Sequence, residues 1–342
     1  MLDRIYIDGS RRQWKGNMHM HTVRSDGRLQ PEELVAEYKK RGYDFISISD
    51  HEVYWNSDEF DGEDFVVLGG TESSIRMNRS RPWLMDYVNG HTYMHYGCIM
   101  DETEEPELPY FEHGQFVPRM IDKGLDSWNK AVRELRRHGN IVFVNHPDWS
   151  RLDPNLLLAS EDVLGLEIWN SGNVNGCGGK SDEAVWDYCL RYGKRLYVVA
   201  GDDAHGISAA MGASFTSVVA DHLDKKELVT AMKRGEFYAS TGPQFKDIRV
   251  EDGVLKLQFS PCKKVFVVVH DGEGRTKCAL DGPLLTEYEY PLKEKLLYAR
   301  VMIEDEQGGK AWSQPIFIDE LLGEPEFAMD STVLGKGPTK VK

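Results

Sequence analysis

The sequence predicts an α/β protein carrying a small all-β region toward its C-terminal end, on three observations. Short apolar runs alternate with amphipathic helical segments from about residue 14 to residue 220, the rhythm of strand–helix units. After Thr241-Gly242-Pro243 the helical segments stop and strand-like runs follow one another, punctuated by Asp-Gly turns. The 342 residues are 41 % hydrophobic and 28 % charged, enough for a large core.

In chain order, the apolar runs are residues 45–49, 65–68, 93–100, 141–145, 164–169, 196–200 and 215–219. Between them lie four helices. The first covers 31–41 with Pro31 at its opening position and Gly42 at its end, and Ser127 caps the second, which runs to His138 before Gly139. Residues 182–192 and 225–234 complete the set. Seven strands interleaved with helices favour a barrel over an open sheet, although spacing alone leaves closure open. Beyond Pro243, runs at 248–257, 264–270, 287–291 and 296–303 read as strands, with Asp252-Gly253 and Asp271-Gly272 as turns. The expected division is therefore 1–243, an α/β unit; 244–320, a sandwich-like β domain; and 321–342, a Gly-, Pro- and Lys-rich tail.

The formal charge of -15 argues against a groove for nucleic-acid backbone, which needs clustered Lys and Arg. A small phosphorylated partner stays open, because bound cations reverse the local field. The five cysteines form an odd set without a Cys-x-x-Cys pair, which points to a reducing compartment. The N-terminus has no apolar signal core and no stretch approaches the ~20 apolar residues of a membrane span, so a cytoplasmic location is expected. A homodimer stays open.

Chemistry-bearing residues recur at the ends of the apolar runs. In His19-Met20-His21, alternation along an extended segment places both imidazoles on one side of the backbone, within reach of one ion or two adjacent ions. Asp50-His51 follows FISIS, Glu72 closes FVVLGGT, Asn145-His146-Pro147 ends IVFV, and Asp203-Ala204-His205 follows LYVVAG. Each stands where a barrel strand would reach its C-terminal end, the face on which such folds assemble active sites.

These segments resemble the polymerase-and-histidinol-phosphatase (PHP) family. NMHMHTVRSDGRLQPEEL matches that family's opening pattern, His-x-His-x-x-x-Ser-Asp-Gly followed by a helix, and SISDHE, GTES, NHPDWS and GDDAH are similar to its later segments in the same order. The resemblance spans about residues 14–243. It implies a distorted (βα)7 barrel and three metal positions. His19, His21, Glu72 and Asp203 would surround the first; Glu72 would bridge to a second completed by His95 and His146; Asp26, His51 and His205 would surround a third. His91 stands four residues before His95 as an alternative, and in many relatives His takes the place of Asp26, so the third ion would be held less tightly or be a different metal.

Imidazole and carboxylate without thiolate suit zinc, manganese or iron(II), and two or three such ions are expected. Ions ~4 Å apart would turn a bridging water into hydroxide at neutral pH and neutralise phosphoryl oxygens, so phosphate-ester hydrolysis on a small metabolite or nucleotide leads. Hydrolysis of a carboxylic ester, amide or carbamate is the first alternative and a non-catalytic ligand-binding module the second. Asp50 and Asn145 are candidates to orient the imidazoles. Arg76, Arg79 and Arg151 are candidates to grip the substrate phosphate. The Gly-rich stretch 171–180 reads as a mobile loop at the site, and Trp149 as a residue that stacks on a base or packs.

Overall fold

The computed structural model describes residues 1–78, 91–117, 120–122 and 125–323. Strands β1 (Arg4–Ile7) and β2 (Gln13–Asn17) precede helix α1 (Pro31–Lys40), followed by β3 (Phe45–Ser47), β4 (Val66–Leu68), β5 (Gly70–Asn78), β6 (His91–Met100) and β7 (Met120–Asp122). Then come α2 (Leu125–Arg137), β8 (Asn140–Val144), the short α3 (Pro147–Ser150) and α4 (Pro154–Ala159), and β9 (Gly165–Asn170). A π-helical turn (Gly172–Gly176), α5 (Glu183–Arg191), β10 (Tyr197–Gly201), β11 (Phe215–Val219) and α6 (Lys225–Arg234) follow. The remainder is β12 (Phe237–Ser240), β13 (Phe245–Glu251), β14 (Val254–Cys262), β15 (Lys264–Val269), β16 (Arg275–Cys278), β17 (Leu285–Pro291), β18 (Tyr298–Glu304), β19 (Lys310–Ser313), β20 (Ile316–Phe317) and α7 (Ile318–Leu322).

This is a mixed α/β protein with three described sheets. One runs β10-β9-β8-β6-β5-β7, a second β16-β15-β18-β19-β12-β11-β2-β3-β4 with β20 beside β18, and the third β1-β13-β14-β17. The first two meet twice. Only Gly69 separates β4 from β5, so one chain segment crosses from sheet to sheet. At the other end the Thr216 hydroxyl accepts from the Ala200 N–H at 2.9 Å and donates to its carbonyl at 3.1 Å, binding β11 to β10 where no ladder forms. β2, β3 and β4 are parallel, as are β8, β9 and β10. β6 runs against both β5 and β8, and β11 against β2, so the expected uniform alternation of parallel strands is interrupted at two places.

Local chemistry explains the helix ends. The Glu33 carboxylate accepts the Gln30 N–H at 2.9 Å before α1, and Gly42 at φ +71° follows it. Asp224 caps α6 by accepting from the N–H groups of Lys226 and Glu227 at 2.9 and 3.1 Å. α2 begins two residues before Ser127, whose expected capping place is thus inside the helix. Trp128, Ala131, Val132 and Leu135 recur at helical spacing on its buried face, with the Trp128 ring 4.6 Å from that of Tyr96 on β6. Each large side chain so buried contributes roughly 1.5–3 kcal/mol.

The run expected at 248–257 is a hairpin, β13 and β14, turning at Asp252-Gly253. Pairing also crosses residue 243 in both directions: β12 pairs with β19, and β1 pairs with β13. Arg300 of β18, 2 % exposed, forms two 2.7 Å bonds to Asp187 of α5 and lies 4.8 Å from the Trp186 ring. Among the described residues no helix is long and apolar enough to cross a membrane.

Candidate metal centre

Residues after β3, β8 and β10 and within β5 and β6 line one cleft of about 250 Å³, with His19 and His21 of the segment after β2 buried beside Glu72. All nine residues singled out in the sequence as ligands meet there. Donor atoms fall into four mutually close groups, each spanning at most 4.8 Å: His19, His21 and Glu72; His19, His146 and Asp203; His51, Glu72 and His95; and His21, Asp26, His51 and His205. The grouping differs in detail from the expected three, since His146 sits with His19 and Asp203, and His51 and His21 are each shared between groups. His95, on β6, is the histidine of that strand found in the cluster; the side chain of His91 lies outside the described residues.

Glu72 is the centre. Its Oε1 lies 3.1 Å from His95 Nδ1, 3.2 Å from His146 Nε2 and 3.3 Å from His19 Nε2, while its Oε2 lies 3.1 Å from His51 Nδ1 and 3.4 Å from His21 Nε2. Five imidazoles converge on one carboxylate that is itself fully buried. Several of these approaches lack hydrogen-bond alignment. Glu72 Oε2 and the Nδ1 atoms of His21, His51 and His95 are buried without a hydrogen-bond partner. Four orphaned polar atoms at one spot would be costly in a finished protein interior, and divalent cations among these nitrogen and oxygen donors would satisfy them. The donor set therefore fits metal.

A second layer of residues holds the donors in place. Glu167, buried in β9, faces His19 Nδ1 at 3.2 Å and accepts the His146 N–H and the Asn170 side-chain amide at 2.9 Å each. It fixes the His19 ring with Nε2 toward the cluster. Sequence reasoning did not single it out; the available signal was a carboxylate inside an otherwise buried apolar run, which requires a partner. Asn145 donates to Glu72 Oε1 at 2.8 Å, so it orients the carboxylate and not a ring. Asp50 accepts the Thr22 N–H at 2.7 Å and the hydroxyls of Thr22 and Ser25 at 2.5 and 2.6 Å, fixing the loop after His21. Gly27, in the same loop, is required by close approach: a Cβ there would stand 2.3 Å from the His21 carbonyl oxygen.

Two donors sit on unusual backbone. His146 at φ +28° and Asp203 at φ +50° occupy the left-handed side that non-glycine residues rarely adopt, a strain found where geometry serves a site. His205 turns its Nδ1–H to the Asp203 carbonyl at 3.0 Å, leaving Nε2 3.3 Å from Asp26. Asp26 and His205 are the exposed members, at 57 % and 40 % of their side chains, whereas His19, His21 and Glu72 are sealed.

The electrostatics follow. Burial works against the charge on Glu72, yet His19 and the other facing imidazoles hold its carboxyl well below the usual range. Asp203 is held well below it likewise. In return, and against burial, His19 is raised well above its ordinary value by Glu72, Asp203 and Glu167, and His21 is raised to about 9 by Asp203 and Glu72. Burial, with His21 beside it, brings His51 down to about 4. The buried carboxylates thus favour the protonated forms of His19 and His21, with which a cation would compete.

The arginines expected at the substrate do not line this cleft among the described residues. Arg151 is 69 % exposed and bonded to Asp148, while Arg79 and the side chain of Arg76 lie outside the described residues. Trp149 does line it, with Gly172, Asn173 and Cys177 from the stretch read as a loop, which forms a π-helical turn.

No protein-family model matches the chain, and no curated protein matches it. Among solved structures, it is similar to a two-domain protein from Bacteroides vulgatus described as containing a predicted PHP-like metal-dependent phosphoesterase, at 16 % identity and TM-score 0.44, over 92 % of this chain and 98 % of that one. It is also similar to a Bifidobacterium adolescentis protein described as a candidate metal-dependent phosphoesterase, at 15 % identity and TM-score 0.37 over 64 % and 94 % of the two chains. A Chromobacterium violaceum amidohydrolase with bound sulfate and no metal shares 14 % identity at TM-score 0.38, over 65 % and 96 %.

Proposed function

We propose that this chain is a PHP-type metal-dependent phosphoesterase acting on a small phosphorylated substrate, in a distorted barrel closed by the Gly69 crossing and the Thr216 junction. The observation that carries this is the convergence of five imidazoles on Glu72 with four buried polar atoms left unsatisfied. His19, His21, Glu72, His95, His146 and Asp203 would hold ions in the sealed part of the cleft, and Asp26, His51 and His205 at its open edge, with zinc, manganese or iron(II) suited to the donors. Bound cations of this kind activate water near neutral pH and neutralise the charge of a phosphoryl group.

The protein's own residues do the rest. Glu167 and the Asp203 carbonyl fix which nitrogens of His19 and His205 face inward. Asn145 keeps Glu72 pointed at the imidazoles, and Asp50 keeps the His19–His21 segment against it. Asp26 and His205, the exposed pair, mark the side from which a phosphate enters. Trp149 and the turn at 172–177 line the cleft beside the donors.

The test is hydrolysis by metal-loaded protein of a panel of phosphomonoesters and diesters beside an aryl carboxylic ester, with chelated protein and Glu72→Gln as controls. Phosphate release that needs both metal and Glu72 is expected. Metal-dependent cleavage of the carboxylic ester alone would transfer the site to ester or amide chemistry, and no cleavage by fully loaded protein would overturn catalysis.

A further inference from the structure

We infer that Trp149 is a specificity-determining platform, and that the cleft takes phosphate esters whose alcohol portion carries a planar aromatic ring. The phosphate-ester part of this substrate class rests on the function proposed above; the aromatic contact stands on separate observations.

Trp149 is 45 % exposed, whereas Trp14, Trp55, Trp128, Trp186 and Trp312 are buried. A large apolar ring left open to solvent forfeits burial that those five tryptophans obtain, so its position calls for a reason. Its place is specific. The ring lies 5.0 Å from that of His146 in an edge-on arrangement and 5.6 Å from that of His95, so it stands directly beside the donor cluster. Among the described residues it is the only aromatic residue other than the histidines on the cleft lining, where the remaining residues are polar or small.

The backbone beneath it is held. Trp149 sits in α3, whose preceding residue Asp148 accepts from the Asn173 amide and from the Lys180 N–H at 3.0 Å each, clasping the π-helical turn to the platform. Ser150 donates its N–H to the His146 carbonyl at 3.1 Å, and Arg151 ends the segment at φ +52°. A rigidly mounted aromatic ring loses little conformational freedom on binding, which favours it as a recognition surface. A cleft of about 250 Å³ holds a small molecule, with its phosphoryl end on the donors and its ring against Trp149. Among the described residues the cleft lining holds no lysine or arginine, and Trp149 is the side chain there with a large apolar face that can discriminate between substrates carrying the same phosphate.

Two matched pairs separate stacking from general affinity: adenosine 5′-monophosphate against ribose 5-phosphate, and benzyl phosphate against cyclohexylmethyl phosphate. The ratio of kcat/KM within each pair is measured for metal-loaded wild type, Trp149→Phe and Trp149→Ala, with thermal unfolding to confirm that each variant folds. Wild type is expected to favour the planar member by ~10-fold or more, Trp149→Phe to retain part of that ratio, and Trp149→Ala to bring it near one. Equal losses on both members, or a ratio indifferent to residue 149, would overturn the inference. Binding of adenosine and of ribose, measured by calorimetry, reads the contact without catalysis. If wild type hydrolyses no phosphoester, the proposed function fails while adenosine binding lost in Trp149→Ala still supports the platform; adenosine binding alike in both proteins sinks it.

Discussion

Replacing Glu167 by Gln isolates the second layer of the centre. The side chain keeps its shape, but one oxygen becomes an NH2 group. Glu167 now receives three donors, His19 Nδ1 on one oxygen and the His146 N–H and Asn170 amide on the other. Either orientation of Gln sets its amide against at least one of these donors, so a ring or the His146 backbone must shift. Partners of this kind are worth about 10–100-fold in metal affinity, or about 1.4–2.7 kcal/mol. A second effect opposes the first. Glu167 helps raise His19, so its loss also weakens the proton that competes with metal. The loss of orientation should dominate increasingly at higher pH, where that proton matters less. Titration of metal-free protein with zinc against a competing chelator, at pH 7 and pH 9, should show the variant weaker at both and the deficit larger at pH 9. Affinity within twofold of wild type at both values would refute a role for Glu167 in holding His19.

Three further outcomes are expected. His21 is raised to about 9 in the metal-free protein, so its contribution to stability is fully present below its unfolded value near 6.5 and is lost as pH rises through about 9; zinc affinity should strengthen over the same window, as titration at stepped pH would show. Arg300→Met leaves Asp187, 17 % exposed, without its buried partner and should destabilise the fold by about 3 kcal/mol, read as a lowered midpoint in urea. In Gly201→Ala the new methyl would lie 2.3 Å from Glu167 Oε1 and 2.6 Å from His19 Cβ, so metal stoichiometry by elemental analysis should fall while the far β sheet, followed by hydrogen exchange, stays protected.

Much of the centre was legible because ligand chemistry leaves marks in a sequence. Imidazoles two apart in an extended segment, and carboxylates placed where apolar runs stop, are dictated by what a cation needs and survive any change in the surrounding scaffold. Glu167 was hidden because its meaning depends on burial: inside GLEIWN it reads as an outward-facing residue until the strand is seen covered on both faces. The reversed direction of β6 was equally hidden, since an apolar run such as YGCIM has the same appearance in a parallel or antiparallel place. Hairpin β13–β14 announced itself through Asp252-Gly253, but the pairing of β1 with β13 joins residues more than two hundred positions apart and has no local signature. Trp149 lay between two readings because exposure, unlike composition, belongs to the folded chain.

The strand pairings that cross residue 243 bear on how this protein can be cut. Expression of 1–243 alone would strip β19 from β12 and deprive β1 of β13, leaving raw hydrogen-bonding edges and the partly buried ring of Trp169 without its neighbour Trp312, 5.9 Å away. Such a fragment would seek partners in other copies of itself and precipitate. A smaller folded unit would have to be carved elsewhere, or supplied with the missing strands as a second peptide.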